Sequence, residues 1–298
     1  MADPVPTLRV VQLNIGSLLE PGWDRRRHEI VAWLHRLNPD VVGLQEAWES
    51  DESANTAGWL AAEVGFLPHW AFGGFELPAA FVPGGVRFGT AVLSRFPIDD
   101  HATHRLPTVE DGDPLVGAVG FPLLRVATAG LDVFVTHLPP APGHGHHRIA
   151  AVLAIDELIR ATRGDRDTLG PGRGARTGMP PILCGDFNAE PESDEIRFLS
   201  SLSVLGERTT YYQDAWRVAG ADGPGYTQDW RDNPQAAALN VHRKRIDYVF
   251  VGDPFRRVGG AGRVLDCRVV FDVSLTGGPL ASDHRGLVVD VRWPDRPG

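Results

Sequence analysis

The N-terminal part of the chain carries two different hydrophobic patterns. TLRVVQLNI and PDVVGLQEAW are short runs rich in β-branched residues, a composition typical of strands. The segment between them, RRRHEIVAWLHRLNP, repeats apolar residues at helical spacing and ends at a proline. This part of the chain is therefore predicted to form a strand, a helix and a second strand.

Strand and helix patterns continue to the C-terminus. VRFGTAVLSRFPI predicts a strand pair or one strand with a bulge at Gly89, and FPLLRVAT with LDVFVTHL predicts a hairpin that turns at Ala129 and Gly130. Later strands are predicted for PILCGDFN, RIDYVFVG, RVLDCRVVFD and GLVVDVRW, and helices for TAGWLAAEVGF, HRIAAVLAIDELIRA and ESDEIRFLSSL. Because no change in composition divides the chain, we expect a single α/β domain over residues 1–298, built on two packed sheets.

Two polar stretches are predicted to be surface loops. Residues 162–181 are rich in Gly, Arg and Pro, which favours a mobile loop. The stretch GHGHHR is typical of a solvated loop, and this assigns His144, His146 and His147 to the surface rather than to a site.

Polar residues recur beside the predicted strands, most of them at a carboxyl end or in the turn that follows. They are Asn14, Glu46, His137, Asp186, Asn188, Asp247, Asp283 and His284. Loops at strand ends are where rigid scaffolds often hold functional residues. Singly, each residue also fits a simpler role, such as a turn residue, a helix cap or, for Asp247, an ion pair with Arg245. Their recurrence favours one shared site.

Carboxylates gathered at one site would repel one another and favour a divalent cation. Oxygen ligands suit Mg²⁺ or Mn²⁺, whereas zinc sites usually contain Cys or clustered His, and Cys184 and Cys267 stand far apart in the sequence. A hard cation beside imidazole and amide groups suits attack of water on phosphorus. The predicted cofactor is therefore Mg²⁺ or Mn²⁺.

Composition and charge narrow the class of protein. The 298 residues carry a formal net charge of -9, which disfavours a protein that mainly holds nucleic acid by its phosphates. The two cysteines suit a reducing compartment, and MADPVPTLRV lacks the pattern of a signal peptide. No apolar run is long enough for a membrane helix, so we expect a cytoplasmic monomer without a transmembrane segment.

The chain resembles the endonuclease/exonuclease/phosphatase superfamily in an ordered set of motifs that spans nearly its whole length. These motifs are LNI at Asn14, LQE at Glu46, GTAVLSRFPI from Gly89, VTHL at His137, GDFN from Asp186 to Asn188, RIDYVFV at Asp247 and SDH from Ser282 to His284. The resemblance implies a four-layer α/β/β/α sandwich of two packed mixed sheets flanked by helices. It also implies that the site lies at one edge of the sheets.

For the metal site, the resemblance implies that Glu46 is the main ligand and that Asn14 and Asp283 complete or support it. Some relatives have an acidic residue two positions after the asparagine of the first motif, where this chain has Gly16. The first motif therefore supplies no second carboxylate here.

For the chemistry, the resemblance implies that Asp186 orients or deprotonates the attacking water and that Asn188 holds a phosphoryl oxygen. His284 would contact the phosphate and stabilise the transition state, with Asp247 fixing the tautomer of the imidazole. His137 would bind phosphate or help to protonate the leaving oxygen. Proton transfers of this kind are worth about 100- to 10,000-fold in rate.

Three functions remain open from the sequence. The acidic net charge favours a phosphohydrolase that acts on a small-molecule or lipid phosphoester. The basic run of Arg243, Lys244 and Arg245 supports a nuclease instead. A non-catalytic binding protein of the same fold is the third alternative, and the full set of site residues disfavours it.

A lipid substrate would need an apolar surface near the site. The stretch GGFELPAAFVPGG, with Phe75, Leu77 and Phe81, is the one candidate for a membrane-contacting lip that we identify. Because large apolar residues are mostly buried, we expect this stretch to pack on the core instead.

Overall fold

The structure is a computed structural model. It describes residues 5–82, 84–110, 113, 116, 118–163, 178–231, 233, 242–252 and 257–297. Most of the predicted loop at 162–181 lies outside these residues. At its edges, Thr162 and Arg163 end a helix and Met179 is buried, so these flanking residues belong to the folded body. The expected extent of one domain over residues 1–298 stays a prediction.

The described residues include twelve strands and five α-helices. The strands are β1 (Thr7–Asn14), β2 (Val41–Glu49), β3 (His69–Glu76), β4 (Arg87–Ser94), β5 (Ile98–Arg105), β6 (Pro122–Thr128), β7 (Leu131–His137), β8 (Ile182–Asp186), β9 (Tyr212–Asp214), β10 (Asp247–Gly252), β11 (Val264–Val270) and β12 (Gly286–Arg292). The helices are α1 (Trp23–Leu37), α2 (Thr56–Val64), α3 (Gly145–Arg163), α4 (Asp194–Leu199) and α5 (Ala215–Ala219). Among the described residues, no helix is both long enough and apolar enough to span a membrane.

The strands form two six-stranded mixed sheets. One sheet has the order β11-β12-β1-β2-β4-β3, and the other has the order β5-β6-β7-β8-β10-β9. Each sheet contains one parallel pair among its named strands, β1 with β2 and β7 with β8, and the other neighbours are antiparallel. Each parallel pair is joined through a helix, α1 in the first sheet and α3 in the second.

Three apolar clusters hold the layers together. Alternate residues of β1 point to opposite faces, so Val10 packs between the two sheets while Val11 packs under α1 and α2. The second sheet buries its outer face against α3 and α4, for example through Phe134. The protein is therefore an α/β/β/α sandwich of two packed mixed sheets flanked by helices, and the fold expected from the resemblance is confirmed.

The irregularity predicted near Gly89 lies on the neighbouring strand. β4 runs without interruption past Gly89, while the register of β2 against it shifts between Gln45 and Ala47. Gly89 serves close packing instead, since a Cβ atom there would lie 2.1 Å from the carbonyl oxygen of Gly73 on β3. The bulge therefore falls at Glu46, a residue predicted to be part of the site.

The prediction of a solvated histidine loop is wrong. Residues 142–144 form a short 3₁₀ turn that leads directly into α3, and His144 and His147 are buried. Their imidazoles have polar partners, because His144 Nε2 lies 3.0 Å from Asp113 Oδ2 and His147 Nδ1 accepts a hydrogen bond from the Val109 amide over 3.0 Å. Of the three histidines only His146 is exposed.

Candidate active site

The carboxyl ends of the two parallel strand pairs meet at one edge of the sandwich. Asn14, the last residue of β1, donates a hydrogen bond from Nδ2 to Oδ2 of Asp186, the last residue of β8, over 3.1 Å. This hydrogen bond links a residue of the first sheet to a residue of the second. Because both side chains are about 1% exposed, the contact lies in the interior rather than on the surface.

Strand register aligns three of the predicted residues in the second sheet. Asp186 pairs with His137 of the parallel strand β7 and with Asp247 of the antiparallel strand β10. His137 Nε2 lies 3.6 Å from Asp186 Oδ2. Gly185 permits this close packing, because a Cβ atom there would lie 2.1 Å from the carbonyl oxygen of Thr136.

The GDFN turn fixes the carboxylate of Asp186. The main-chain amide of Asn188 donates to Asp186 Oδ1 over 2.9 Å, and Asn188 occupies the left-handed region with φ 49°, which asparagine tolerates well. Asn188 Nδ2 donates to the carbonyl oxygen of Leu138 over 2.9 Å. Since an amide group has two N–H bonds, this contact leaves one for another acceptor.

Asp247 and His284 form a buried hydrogen-bonded pair. His284 Nδ1 lies 2.8 Å from Asp247 Oδ2, and the other carboxylate oxygen of Asp247 accepts from Gln12 Nε2 over 2.9 Å. With Nδ1 engaged, His284 directs Nε2 toward Asp186 Oδ2 at 3.7 Å. Asp247 thus contacts His284 and not Arg245, whose guanidinium bonds to Asp214 at 2.8 Å.

The bulge in β2 places Glu46 beside Asn14. Glu46 has φ 60°, and its Oε1 accepts a hydrogen bond from Asn14 Nδ2 over 3.0 Å. The hydroxyl of Ser17 donates to the main-chain carbonyl of Glu46. A side chain inside a regular strand would follow the alternation of the sheet, so the bulge is what turns this carboxylate toward the site.

Asp283 lies on the far side of His284 from Asp247. Its Oδ2 is 3.9 Å from His284 Nε2, and its Oδ1 accepts from the hydroxyl of Ser282 over 3.2 Å. Nearby Glu20 has a raised pKa because it is partly buried and because the charges of Asp283 and Glu46 oppose its ionisation. Glu20, Glu46 and Asp283 are therefore close enough to interact electrostatically.

The pKa values of Asp186 and His284 are both raised, although burial acts in opposite directions on the two groups. Burial, followed by the charge of Asp247, raises the pKa of Asp186 to about 6 against the lowering effect of His284 and His137. For His284, burial would lower the pKa, but the combined charges of Asp247, Asp283 and Asp186 and the hydrogen bond that His284 donates to Asp247 outweigh it and raise the pKa well above its usual value. At neutral pH the site thus pairs a carboxylate of increased basicity with an imidazolium.

Two groups of side chains at this edge have the chemistry to hold a divalent cation. The Asp–His group consists of Asp186, Asp247 and His284, whose potential ligand atoms lie within 4.8 Å of one another. The Asn–Glu pair consists of Asn14 and Glu46. A protonated imidazole has no lone pair to offer a metal, so the raised pKa of His284 disfavours the Asp–His group as a ligand set. The Asn–Glu pair offers oxygen atoms, which suit Mg²⁺ or Mn²⁺.

All eight predicted residues thus lie at the same edge, and several partners escaped the sequence analysis. Gln12 was detectable in principle, since it precedes Asn14 by two positions on one strand and so shares its face. Thr227 had no such signal. Its hydroxyl accepts from the Asp247 amide over 3.3 Å, a contact that depends on a loop distant in sequence.

The sequence profile of the Endonuclease/Exonuclease/phosphatase family matches residues 11–284. This chain belongs to that family. Members are metal-dependent phosphoric ester hydrolases, and the family enzymes use divalent metal ions. The matched region contains every predicted site residue, from Asn14 to His284.

Among known proteins, human Nocturnin is 23% identical over 317 residues, a match that covers 97% of this chain and 66% of Nocturnin. The chain thus spans just under two thirds of that relative. A family protein from Beutenbergia cavernae superposes with a TM-score of 0.64 at 25% identity, covering 96% of this chain and 72% of that one. TDP2 from D. rerio, solved with a single-strand DNA product, gives a TM-score of 0.65 at 18% identity over 96% of this chain and 99% of that one.

Proposed function

We propose that this family member hydrolyses a phosphoester by attack of a water molecule that Asp186 orients and deprotonates. The observation that supports the proposal most directly is the set of groups around Asp186 Oδ2. Asn14 donates to this oxygen over 3.1 Å, and the Nε2 atoms of His137 and His284 lie 3.6 and 3.7 Å from it. A base, two imidazoles and an amide therefore converge on one small volume.

The proposed reaction follows from these positions. Asp186 accepts a proton from water as the water oxygen forms a bond to phosphorus, a task for which a pKa of about 6 is well matched near neutral pH. The imidazolium of His284, held by Asp247, stabilises the negative charge that develops on the phosphoryl oxygens. As the bond from phosphorus to the leaving oxygen breaks, His137 donates a proton to that oxygen.

The residues proposed to hold the cation are Glu46, Asn14 and Asp283. When bound, a divalent cation supplies positive charge that polarises a phosphoryl oxygen. Asn14 contacts both Glu46 and Asp186, so one amide sets the spacing between the proposed ligand and the proposed base. We propose Mg²⁺ or Mn²⁺ as this cation, because the proposed ligands are oxygen atoms.

As the substrate, we propose a phosphoester of a nucleotide or nucleic acid. This proposal reverses the preference for a small-molecule or lipid substrate that the net charge of -9 suggested. Support comes from the TDP2 structure with its DNA product and from Trp230, whose side chain is 46% exposed three residues after Thr227, a direct partner of Asp247. An exposed indole this close in sequence to a contact of Asp247 offers a face on which a base can stack, and such stacking is worth about 1–3 kcal/mol per base.

A lipid phosphoester is the second candidate, because the expectation that Phe81 packs on the core is wrong. Phe81 is 51% exposed, and Phe75 and Leu77 are only partly buried. Phe81 lies between β3 and β4, whose ends pair at Glu76 and Arg87 near the carboxyl end of β2. An exposed aromatic ring at the edge that contains the site suits contact with a membrane interface.

One set of assays tests the reaction and separates the substrates. Hydrolysis of bis(p-nitrophenyl) phosphate, a single-stranded oligonucleotide and sphingomyelin vesicles is measured with Mg²⁺ or Mn²⁺, with Asp186→Asn as the blank. We expect oligonucleotide cleavage above the blank, weakened by Trp230→Ala and unaffected by Phe81→Asp. Vesicle hydrolysis that falls with Phe81→Asp would establish the lipid candidate. Activity that persists in excess EDTA, or equal activity of Asp186→Asn, would refute the proposed reaction.

A further inference from the structure

Arg26 on α1 is completely buried, which is unusual for an arginine. A buried guanidinium is tolerated only when its N–H groups have partners, because an unpaired charge in the interior is strongly destabilising. Arg26 is the only arginine among the fully buried side chains of largest volume in the described residues. The hydrogen-bond partners of Arg26 therefore show which parts of the structure this buried side chain holds together.

The guanidinium of Arg26 donates to five main-chain carbonyl oxygens in three segments. The acceptors are Pro21 at 2.9 Å, Ile15 at 2.9 Å, Ala281 at 2.9 Å, Gly16 at 2.7 Å and Glu20 at 3.1 Å. A guanidinium has five N–H groups, so these bonds match its full capacity. Two of the three segments contain proposed site residues or adjoin them.

The first segment follows Asn14. A carbonyl and the amide after it belong to one planar peptide unit. Arg26 binds the carbonyl oxygen of Ile15, and the amide of the same unit, on Gly16, donates to Asn14 Oδ1 over 3.0 Å. This bond directs Nδ2 of Asn14 toward Glu46 and Asp186.

The second segment precedes Asp283 and His284. Arg26 binds the carbonyl oxygen of Ala281, which shares a peptide unit with the amide of Ser282. The hydroxyl of Ser282 donates to Asp283 Oδ1 over 3.2 Å and accepts from the His284 amide over 3.2 Å. The orientation of this peptide unit therefore fixes the position of Ser282 and, through it, the main chain from which the side chains of Asp283 and His284 extend.

We propose that Arg26 is a positioning residue. It binds both the turn that follows Asn14 (residues 15–17) and the turn that contains Asp283 and His284 (residues 281–285), and so sets the distance between the proposed metal ligands. The inference rests on the proposed function, but the hydrogen bonds from which it is argued do not involve a substrate or a metal ion. Lysine cannot replace arginine in this role, because a single ammonium group has three N–H donors at one point and cannot reach carbonyls spread over three segments.

Hydrogen exchange compares Arg26→Lys with two controls on the same helix. Arg27→Lys changes the neighbouring arginine, which is only partly buried and contacts Trp59 and Asp24. Leu34→Ala opens a cavity in the apolar cluster under α1 and so destabilises the fold, but it removes none of the hydrogen bonds from Arg26 to the two turns. We expect Arg26→Lys alone to raise exchange at residues 15–17 and at residues 281–285, by about tenfold or more, since both turns would open locally.

Mn²⁺ affinity and turnover give the functional readout at a temperature where all variants are folded. Partners that orient metal ligands typically change metal affinity or activity by about 10- to 100-fold when mutated, and we expect Arg26→Lys to weaken Mn²⁺ binding within this range. Leu34→Ala should lower the melting temperature but leave Mn²⁺ affinity unchanged. This difference separates positioning from a general loss of stability.

Each outcome decides one question. Unchanged exchange in both turns of Arg26→Lys, or equal exchange in Leu34→Ala, would refute the positioning role even if the enzyme is active. Failure of the wild-type protein to hydrolyse any phosphoester would refute the proposed function. The hydrogen-exchange result would then still test the positioning role of Arg26, because it does not depend on activity. If Arg26→Lys does not fold, the wild-type protein still provides a test, because rapid exchange at residues 15–17 would contradict a rigid turn.

Discussion

The Asp–His group and the Asn–Glu pair lie side by side but differ in how their charges are balanced. In the Asp–His group, Asp247 bonds to His284 on one oxygen and to Gln12 on the other, and the imidazole is protonated at neutral pH. In the Asn–Glu pair, an amide nitrogen donates to Glu46 and brings no positive charge. Asp247 thus has a positively charged partner within its own group, whereas Glu46 has none in the Asn–Glu pair, and this pair favours an added cation.

This difference shows why proximity alone is a poor guide to a metal site. The ligand atoms of the Asp–His group lie within 4.8 Å of one another, yet its geometry is that of a carboxylate holding an imidazolium in one orientation. The Asn–Glu pair depends on a bulge and on a turn fixed by Arg26. We therefore propose phosphate contact for the first group and cation binding for the second.

The largest effect is expected from Asp186→Asn, which keeps the shape of the side chain and removes the base. Turnover should fall by about 1,000- to 10,000-fold, near the upper range for loss of a general base. Asp132→Asn is a matched control, because Asp132 lies near the opposite end of β7 and pairs with Arg125. Steady-state kinetics on the best substrate provide the measurement. Comparable turnover of Asp186→Asn and wild type would remove Asp186 from the mechanism.

A smaller effect is expected from Asp247→Asn, which tests the Asp–His group directly. The charge of Asp247 raises the pKa of His284, so its removal should lower that pKa. Turnover should fall by about 100-fold, because the imidazolium would be both less populated and less firmly oriented. NMR titration of the His284 ring measures the first change. An unaltered titration would show that Asp247 does not control His284.

The pH profile should show an ascending limb governed by Asp186. The pKa of this carboxyl is raised to about 6, so the group is protonated and inactive below that pH and ionised above it. Between pH 7 and pH 5, kcat/KM should fall by about tenfold. His284 stays protonated throughout, since its pKa is raised well above its usual value. A profile that is flat over this range would contradict Asp186 as the base.

The smallest effect is expected from Gln12→Met. This change removes the bonds from Gln12 Nε2 to Asp247 and to Gln45 while preserving the apolar stem. Loss of a buried hydrogen bond costs about 1–3 kcal/mol when a partner is left unsatisfied, and turnover should change only a few-fold. Chemical denaturation and kinetics measure the two effects. A loss of turnover as large as that of Asp247→Asn would give Gln12 a more direct role.

The sequence predicts the second sheet's part of the site well. PILCGDFN and LDVFVTHL are buried strands that end in polar residues, and their parallel register brings His137 to Asp186 as expected for strand ends at one edge. Such a prediction succeeds because the hydrophobic pattern fixes where each strand ends. By contrast, β5 was missed because its exposed residues are mostly polar and leave no strand pattern.

The first sheet's part of the site could not be predicted in the same way. The bulge at Glu46 depends on how β2 pairs with β4, which lies some forty residues later in the chain. The burial of Arg26 and of His147 depends on carbonyl and amide partners that only the folded chain supplies. In the sequence alone, buried polar residues of this kind are indistinguishable from residues that face solvent.

Mn²⁺ binding by wild type, Glu46→Gln and Asp247→Asn tests the assignment of the two groups most directly. Titration calorimetry or electron paramagnetic resonance measures the affinity without reference to any substrate. If the Asn–Glu pair holds the cation, Glu46→Gln should weaken binding by about 10- to 100-fold or more, while Asp247→Asn stays within a few-fold of wild type. Loss of Mn²⁺ binding in Asp247→Asn with full binding in Glu46→Gln would place the cation in the Asp–His group and contradict this account.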